Sequence, residues 1–350
     1  MSGMKPDGSL RCWPGYLVPS VALVAVFALA ANLIAGRSGF RLDLSPAYAP
    51  YCLAVYAGTM LFWSVFFLAF RVVGEDLRLK RREGLNLSLP ALTRRVLAPY
   101  ALGRTALEVL AAIVLFHAAT VIHTNLQQRV PAINLAIHDA VFAWMDRGLG
   151  LGNDPVAALA GSRLFSASVV ARFFDLLYVS WYFVKLPLVA YFLLAADRQM
   201  SHAFLFAFLL MWVAHIAIVL TLPSLGPVFV TPEVFAGLNM PAAHSIQATV
   251  WTGYRHFLAN PMQYRVHMYE GMSAFPSLHV GLVALYALFL SGTRARVRWA
   301  AWIYVLLMLI GSCVTGWHYL VDGIAGLGMA AVVSVFSRWL FKGSSERQGA

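Results

Sequence analysis

The chain has 350 residues, of which 60% are hydrophobic and only 12% charged; its formal net charge is +11 and its mean hydropathy +0.71. Soluble domains carry about 25% charged residues. The composition therefore excludes an ordinary soluble fold and leaves one polytopic membrane protein, although the length would accommodate two soluble domains. The positive balance reads as basic loops facing anionic lipid, and no nucleic-acid partner is expected.

A membrane span needs roughly 20 mainly apolar residues. Eight such stretches are expected, at about 15–35, 49–72, 99–122, 168–195, 203–223, 276–291, 299–316 and 319–341. The first follows Lys5 and Arg11, as a signal peptide would. Its apolar stretch of about 20 residues exceeds the roughly 7–15 of a signal core, so it reads as a retained helix.

Lys and Arg set the orientation. With both termini in the cytoplasm, 17 of the 26 basic residues fall inside, including the "RLKRREG" and "TRARVR" clusters; eight fall outside, and Lys185 lies within the fourth span. Cys12, Cys52 and Cys313 are scattered and form no C-x-x-C pair, which points to neither a disulfide framework nor a zinc site.

Two outer connections are long. In Pro131–Gly148, Ile133, Ile137, Val141, Trp144 and Met145 recur at helical spacing, with Asp139, Asp146 and Arg147 elsewhere on the wheel. This predicts a helix lying in the membrane interface, a structural lid or rim. The second connection, Ser224–Phe275, is rich in Pro, Gly, His and Met and holds Arg255 and Arg265.

Two stretches carry the candidate chemistry. "SAFPSLHVGLVALYALFL" (Ser273–Leu290) places Pro276, Ser277 and His279 at the mouth of an apolar run, and "VTGWHYLVDGIAG" (Val314–Gly326) does the same with His318 and Asp322. His318 and Asp322 are four apart at a helix start and so share a face. A carboxylate so placed can accept the Nδ1 proton of the imidazole, leaving Nε2 as nucleophile or base. A polar helix start with no chemistry would look the same.

His279 changes the balance. The short turn at Thr293–Arg298 makes the sixth and seventh spans antiparallel neighbours, and the eighth starts at the same outer face, beside His279. From His279 to Gly292 is 13 residues, about 20 Å of helix, against a hydrocarbon core of about 30 Å. His279 is thus expected below the outer boundary, where an ionisable group marks function by default. Proline at a first helical position, free amides in the turn that follows and the Ser277 hydroxyl make an anion site. An anion between two histidines points to phosphoryl chemistry. Neither H-E-x-x-H nor a P-loop is present.

"FPSLH" together with "TGWHYLVD" resembles the second and third motifs of the type 2 phosphatidic acid phosphatase superfamily. The Leu between Ser277 and His279 and the Thr-Gly-x-His-Tyr lead-in are similar to the inositol phosphorylceramide synthase branch, the aureobasidin-sensitive inositolphosphotransferases. The resemblance covers roughly Pro223–Gly326. It implies His318 as the nucleophile that forms a phosphohistidine, Asp322 as its orienting carboxylate, His279 as general acid and base, and Ser277 as a phosphate contact. "LPSLGPVF" (Leu222–Phe229) sits where this branch carries a proline-rich segment. Two departures stand out: Ser312 occupies the position of an arginine six residues before the nucleophile, and Lys185 is followed seven residues later by Phe192, without the Arg-Pro of the first motif. Arg172, Arg255 and Arg265 are therefore assigned to the phosphate, because guanidinium binds it bidentately. Lys185 is read as paired, snorkelling or functional.

The expected fold is an all-α polytopic membrane protein of about eight transmembrane helices, with a six-helix-type phosphatase core toward the C-terminal half and an interfacial amphipathic helix. It divides into N-terminal membrane helices (1–123), an exoplasmic interfacial segment (124–167) and a catalytic membrane core (168–341). The expected activity is metal-independent transfer of a phosphoryl or phospho-headgroup, without cofactor, from a phospholipid or polyprenyl phosphate. The acceptor is water in a phosphatase, or an alcohol of the inositol, sugar or lipid type in a phosphotransferase. The active site faces the periplasmic or exoplasmic side. The alternatives are a lipid transporter or flippase using the histidines as protonation switches, or a membrane assembly factor with a decayed site; charged groups at one face instead of the midplane weigh against transport.

Overall fold

The computed structural model of the protein describes residues 13–44, 47–97, 102–194, 198–261, 266 and 271–342. Among these residues every regular element is helical. The chain runs through α1 (Trp13–Arg37), α2 (Ala49–Glu83), α3 (Leu89–Leu97), α4 (Leu102–Gln128), α5 (Val130–Ile133), α6 (Asp139–Leu149), α7 (Pro155–Ala160) and α8 (Arg163–Ser166). It continues through α9 (Ser168–Leu193), α10 (Arg198–Thr221), α11 (Pro227–Val230), α12 (Pro241–Ala259), α13 (Leu278–Phe289), α14 (Ala295–Val314) and α15 (Leu320–Lys342). The protein is an all-α integral membrane protein.

Six helices, α1, α2, α4, α10, α14 and α15, are long and apolar enough to cross a membrane; α9 makes a seventh if its two bent halves count as one span. The bend is 42° and falls between Trp181 and Phe183, one turn ahead of Pro187, whose missing N–H and ring break the helical ladder there. The sixth expected span, 276–291, corresponds to α13, which differs from the expectation in length. It has 12 residues before a single 3-10 turn closes it, about 18 Å of α-helix. Length alone does not carry it across a bilayer core.

The reason lies in packing. Ten of the 12 residues of α13 are buried, enclosed by α10, α14, α15 and α9, so it has protein for a solvent. In α10 two thirds of the apolar window is buried, against about a fifth in α1 and α2. The core thus centres on α10 and α13, and the N-terminal helices present large side chains such as Leu29, Leu33, Phe62 and Phe70 outward. α13 and α15 approach closely: a Cβ on Gly326 would run into the carbonyl of Ser277, and one on Gly281 would meet the Gly326 carbonyl at 3.1 Å.

Two further boundaries differ from expectation. α2 continues past the expected end of its span to Glu83, where Gly84 closes it with a φ of 65°; ion pairs Arg78–Glu75 and Lys80–Asp76, with Arg95 of α3 on Glu75, stiffen the basic extension. Pro131–Gly148 is not one helix. Asn134 ends α5, its side chain donating to the carbonyls of Leu220 and Thr221 and accepting from the Ala136 amide. A local side-chain bond of this kind competes with the helical ladder, and the helix resumes only at Asp139. The Ser224–Phe275 connection holds the 19-residue helix α12, packed on α9.

Candidate active site

The N-terminus of α13, the C-terminus of α14 and the N-terminus of α15 come together. Ser277 is the N-cap of α13: its hydroxyl oxygen accepts from the Val280 amide at 3.3 Å, satisfying one of the unpaired amides of a helix start. That bond uses the oxygen as acceptor, and no described residue receives the hydroxyl hydrogen. The Ser277 amide donates to the carbonyl of Asp322 at 2.9 Å, which joins the two stretches through main chain. His279 sits in the first turn. Its Nδ1 lies 3.1 Å from the Tyr178 hydroxyl, and its ring packs against Tyr178 (4.6 Å) and Trp181 (4.5 Å) of α9.

His318 precedes α15, and its ring centroid is 6.0 Å from that of His279. Its Nδ1 lies 2.7 Å from the carbonyl oxygen of Ala274. A carbonyl only accepts, so Nδ1 carries the hydrogen and Nε2 is the bare nitrogen. Asp322 is fully buried; its Oδ2 stands 3.5 Å from the same Nδ1 and accepts from the Tyr319 amide at 2.8 Å. Among the described residues its Oδ1 has no hydrogen-bond partner. The expected i,i+4 pair is therefore present, with the shorter bond to the imidazole taken by main chain. The lead-in turns at Gly316, which has a φ of 74° and Val228 and Phe235 against its open side. Any side chain there would be both strained and obstructed.

Neighbouring segments hold this arrangement, and sequence reasoning did not assign them to it. Asp146 of α6 accepts from the Leu320 and Val321 amides at 2.7 and 2.8 Å, capping α15 from another segment. Asp139 accepts from the Leu225 and Gly226 amides at 2.8 Å and from the Tyr319 hydroxyl at 3.1 Å. Phe142 stacks on Phe275 at 4.3 Å. The acidic face of α6 is buried while Val141 and Trp144 point outward, as for a helix whose apolar side meets lipid. Burial holds the Asp146 carboxyl above its usual range against the pull of the two amides. Burial and the neighbouring Asp139 push the Tyr319 phenol well above its ordinary value, keeping it a donor. The signal available was the seven-residue spacing of Asp139 and Asp146, which puts both on one face.

The proline-rich segment closes over the site. Ser224 accepts from the amides of Ala274 and Phe275, Val228 donates to the Gly316 carbonyl, and Gln247 of α12 donates to that of Thr315. Ser312, at the position expected for an arginine, accepts the His318 amide at 3.2 Å through its carbonyl. The arginines are dispersed. Arg172 is bridged at 2.7 Å to Asp175, which caps α12 through the Ala242 and Ala243 amides. Arg255 is exposed on α12, and Arg265 lies outside the described residues. Lys185 is buried in a cage of Trp181, Tyr56 and Phe116 rings at 4.3, 5.8 and 5.9 Å, one ring removed from His279.

A bundle of apolar helices thus sets two histidines, a buried aspartate and a serine-capped helix start together at one end. A model of the PAP2 superfamily matches residues 142–336, more than half of the chain, and the chain belongs to that superfamily. Membership places it among membrane phosphatases and phosphotransferases. Over 67 residues it is 40% identical to the inositol phosphorylceramide synthase catalytic subunit aur1 of Schizosaccharomyces pombe; that stretch is 19% of this chain and 16% of the yeast protein. No solved structure matches it.

Proposed function

We propose that the protein moves a phosphoryl group or phospho-headgroup from a phospholipid or polyprenyl phosphate in the outer leaflet, through a phosphohistidine at His318, to an alcohol or to water. The observation that carries this reading is the 6.0 Å separation of two histidine rings whose outer member has Nδ1 committed and Nε2 bare.

In the first step neutral His318 attacks phosphorus through Nε2. The N–P bond forms as the bond from phosphorus to the departing oxygen breaks, and protonated His279 gives that oxygen its proton. In the second step the acceptor oxygen attacks phosphorus, its proton passes to His279, and the N–P bond breaks. Dividing one displacement into two lowers each barrier, and the same histidine serves as acid and then as base. Asp322 stabilises the positive charge that develops on His318. Positioning and charge stabilisation do most of the catalysis in phosphoryl transfer. The Ser277 hydroxyl, the first-turn amides of α13 and guanidinium groups from Arg172, Arg255 and Arg265 are assigned to the phosphate oxygens; Arg172 would share its guanidinium with Asp175.

Residues 168–341 are assigned to the catalytic core, 124–167 to an exoplasmic interfacial segment and 1–123 to N-terminal membrane helices with a basic cytoplasmic loop. The site faces the exoplasmic or periplasmic side with both termini cytoplasmic, on the basis of the Lys and Arg distribution. The likeness to an inositol phosphorylceramide synthase favours an alcohol acceptor over water.

The test is product analysis by mass spectrometry. Detergent-purified protein, with chelator present, meets phosphatidic acid, phosphatidylinositol and polyprenyl phosphates, with and without ceramide, diacylglycerol or inositol, beside His318→Ala. Free phosphate from wild type alone defines a phosphatase, and a new phosphodiester lipid defines a transferase. Folded protein that forms neither product sinks the proposal in favour of lipid transport.

A further inference from the structure

α9 packs two aromatic side chains against the imidazole of His279. Tyr178 and Trp181 are three residues apart and so share a face of that helix. The Tyr178 ring lies 4.6 Å from the histidine ring at 30°, and the Trp181 ring lies 4.5 Å from it at 53°. Trp317, next to His318, stacks on Tyr178 at 6.4 Å with an interplanar angle of 12°. Tyr178 is only 5% exposed, whereas His279 keeps part of its surface open. The Tyr178 hydroxyl lies 3.1 Å from His279 Nδ1.

A buried phenol needs a hydrogen-bond partner, and that need alone would account for a contact. The nitrogen it meets adds a chemical consequence. With Nδ1 facing Tyr178, the nitrogen that exchanges a proton with substrate is Nε2. Protonated imidazole carries hydrogen on both nitrogens, and neutral imidazole ready to receive a proton at Nε2 carries its hydrogen on Nδ1. Nδ1 is thus a donor in both halves of the proposed reaction, and a phenol oxygen can accept from it throughout.

We infer that Tyr178 is a positioning residue: its oxygen accepts the Nδ1 hydrogen of His279 and holds Nε2 ready to serve as acid and then as base. His318 is held in the same way, with its Nδ1 on the Ala274 carbonyl at 2.7 Å. A neutral acceptor suits His279, because a carboxylate in its place would favour the protonated ring and oppose the second step. The inference rests on the acid and base role proposed for His279. The other titratable groups around this ring are His318, 6.0 Å away between centroids, Lys185, 4.3 Å beyond Trp181, and His215 of α10. Tyr178→Phe leaves all three in place, so a change in the titration of His279 reports the lost hydroxyl.

The test uses full-length protein in detergent as wild type, Tyr178→Phe and Tyr304→Phe. Phenylalanine at 178 keeps a ring against His279 and Trp317 and removes only the hydroxyl. Tyr304 of α14 bonds Ser180 of α9 at 2.8 Å, so its variant removes another hydroxyl contact of the same helix without touching His279. Three quantities are read: kcat and KM on the lipid phosphate turned over, the pH dependence of kcat/KM, and heteronuclear NMR of protein labelled at the histidine nitrogens. The His279 signals are those lost in His279→Gln.

Tyr178→Phe is expected to lower kcat about tenfold with KM within about twofold, the size of one hydrogen bond to a charged group. An acceptor on Nδ1 favours the protonated imidazole, so its removal lowers the pKa of His279. The first step needs His279 protonated, and the high-pH limb of kcat/KM should therefore move down by about one unit. Tyr304→Phe should leave that limb in place. In wild type the neutral His279 ring should carry its hydrogen on Nδ1, and its titration midpoint should fall in Tyr178→Phe. A limb that stays put or moves up in Tyr178→Phe, an equal shift in both variants, or a neutral ring with bare Nδ1 overturns the inference. If Tyr178→Phe does not fold, the wild-type spectrum decides by the same criterion. If wild type turns over no lipid phosphate, the functional reading fails and the spectra decide: hydrogen on Nδ1 with a lower midpoint in the variant upholds the hold of Tyr178 on the ring, and a bare Nδ1 or an unchanged midpoint overturns it.

Discussion

His318 donates its Nδ1 hydrogen to the carbonyl of Ala274 at 2.7 Å, and Ala274 lies five residues before His279 in the other motif. The main chain of one motif thus holds the imidazole of the other, while Asp322 stands beside it at 3.5 Å. Orientation and charge are divided between two groups: the carbonyl fixes the tautomer, and the carboxylate supplies the negative charge.

That division predicts a partial phenotype for Asp322→Asn. The Tyr319 amide keeps an oxygen to donate to and His318 keeps its carbonyl, so the ring stays in place. Only the charge opposite the imidazole is lost, worth about 1.5–3 kcal/mol for a hydrogen bond to a charged group, or about tenfold to a hundredfold in kcat. His318→Ala should abolish turnover. Steady-state kinetics decides: Asp322→Asn as inactive as His318→Ala would mean that the carboxylate, not Ala274, does the holding.

Asp146 caps α15 from α6, so its loss should loosen the start of the helix that carries Asp322. Removing a helix cap costs about 0.5–2 kcal/mol, and here two amides lose their acceptor. Asp146→Ala should melt at lower temperature than wild type, with Asp146→Asn between them because one amide oxygen remains. Thermal melts in detergent check the order. Unchanged melting in both variants would show that α15 starts without this clamp.

Gly326 and Gly328 lie two residues apart on α15 and should behave oppositely. A Cβ at Gly326 collides with the Ser277 carbonyl, whereas one at Gly328 meets nothing within 4 Å. Gly326→Ala is expected to destabilise by about 1–3 kcal/mol through overpacking and to depress turnover by shifting the first turn of α13. Gly328→Ala should match or slightly exceed wild-type stability, since alanine favours helix over glycine by about 1 kcal/mol. Equal melting temperatures for the two would refute the close approach of α13 and α15.

The orientation can be tested by cysteine labelling. Arg255 and Arg296 are exposed; Arg255 lies on α12, whose Gln247 bonds the Thr315 carbonyl at the C-terminal end of α14, and Arg296 lies at the N-terminal end of α14. In intact cells an impermeant maleimide should label Arg255→Cys, and should label Arg296→Cys only after permeabilisation. The reverse pattern would put the site on the cytoplasmic side.

Much of this was legible in the sequence because membrane spans are read from length and apolarity, and two motifs on antiparallel neighbours must meet at one end. His279, His318, Asp322 and Ser277 are gathered as their spacing required. Hydrophobic periodicity did not reveal the break at Asn134, where a side chain bonds carbonyls of α10 that lie 86 and 87 residues away. It also put no partner on the acidic face of α6, because the amides that donate to Asp139 and Asp146 belong to a loop and a helix start distant in sequence. The i,i+3 spacing of Arg172 and Asp175 was open to reading as an ion pair, and the structure places them in one.

The sequence by itself determined a helical membrane protein and the end of the bundle where its titratable groups collect, since both follow from local pattern and from the few residues between neighbouring helices. Only the tertiary structure decided which group orients His318, that α13 is a short helix wrapped in protein, and that Asp146 of α6 caps α15. Each of these depends on a main-chain or side-chain partner supplied by another helix, and hydrogen bonds act over about 3 Å however many residues separate the two groups along the chain.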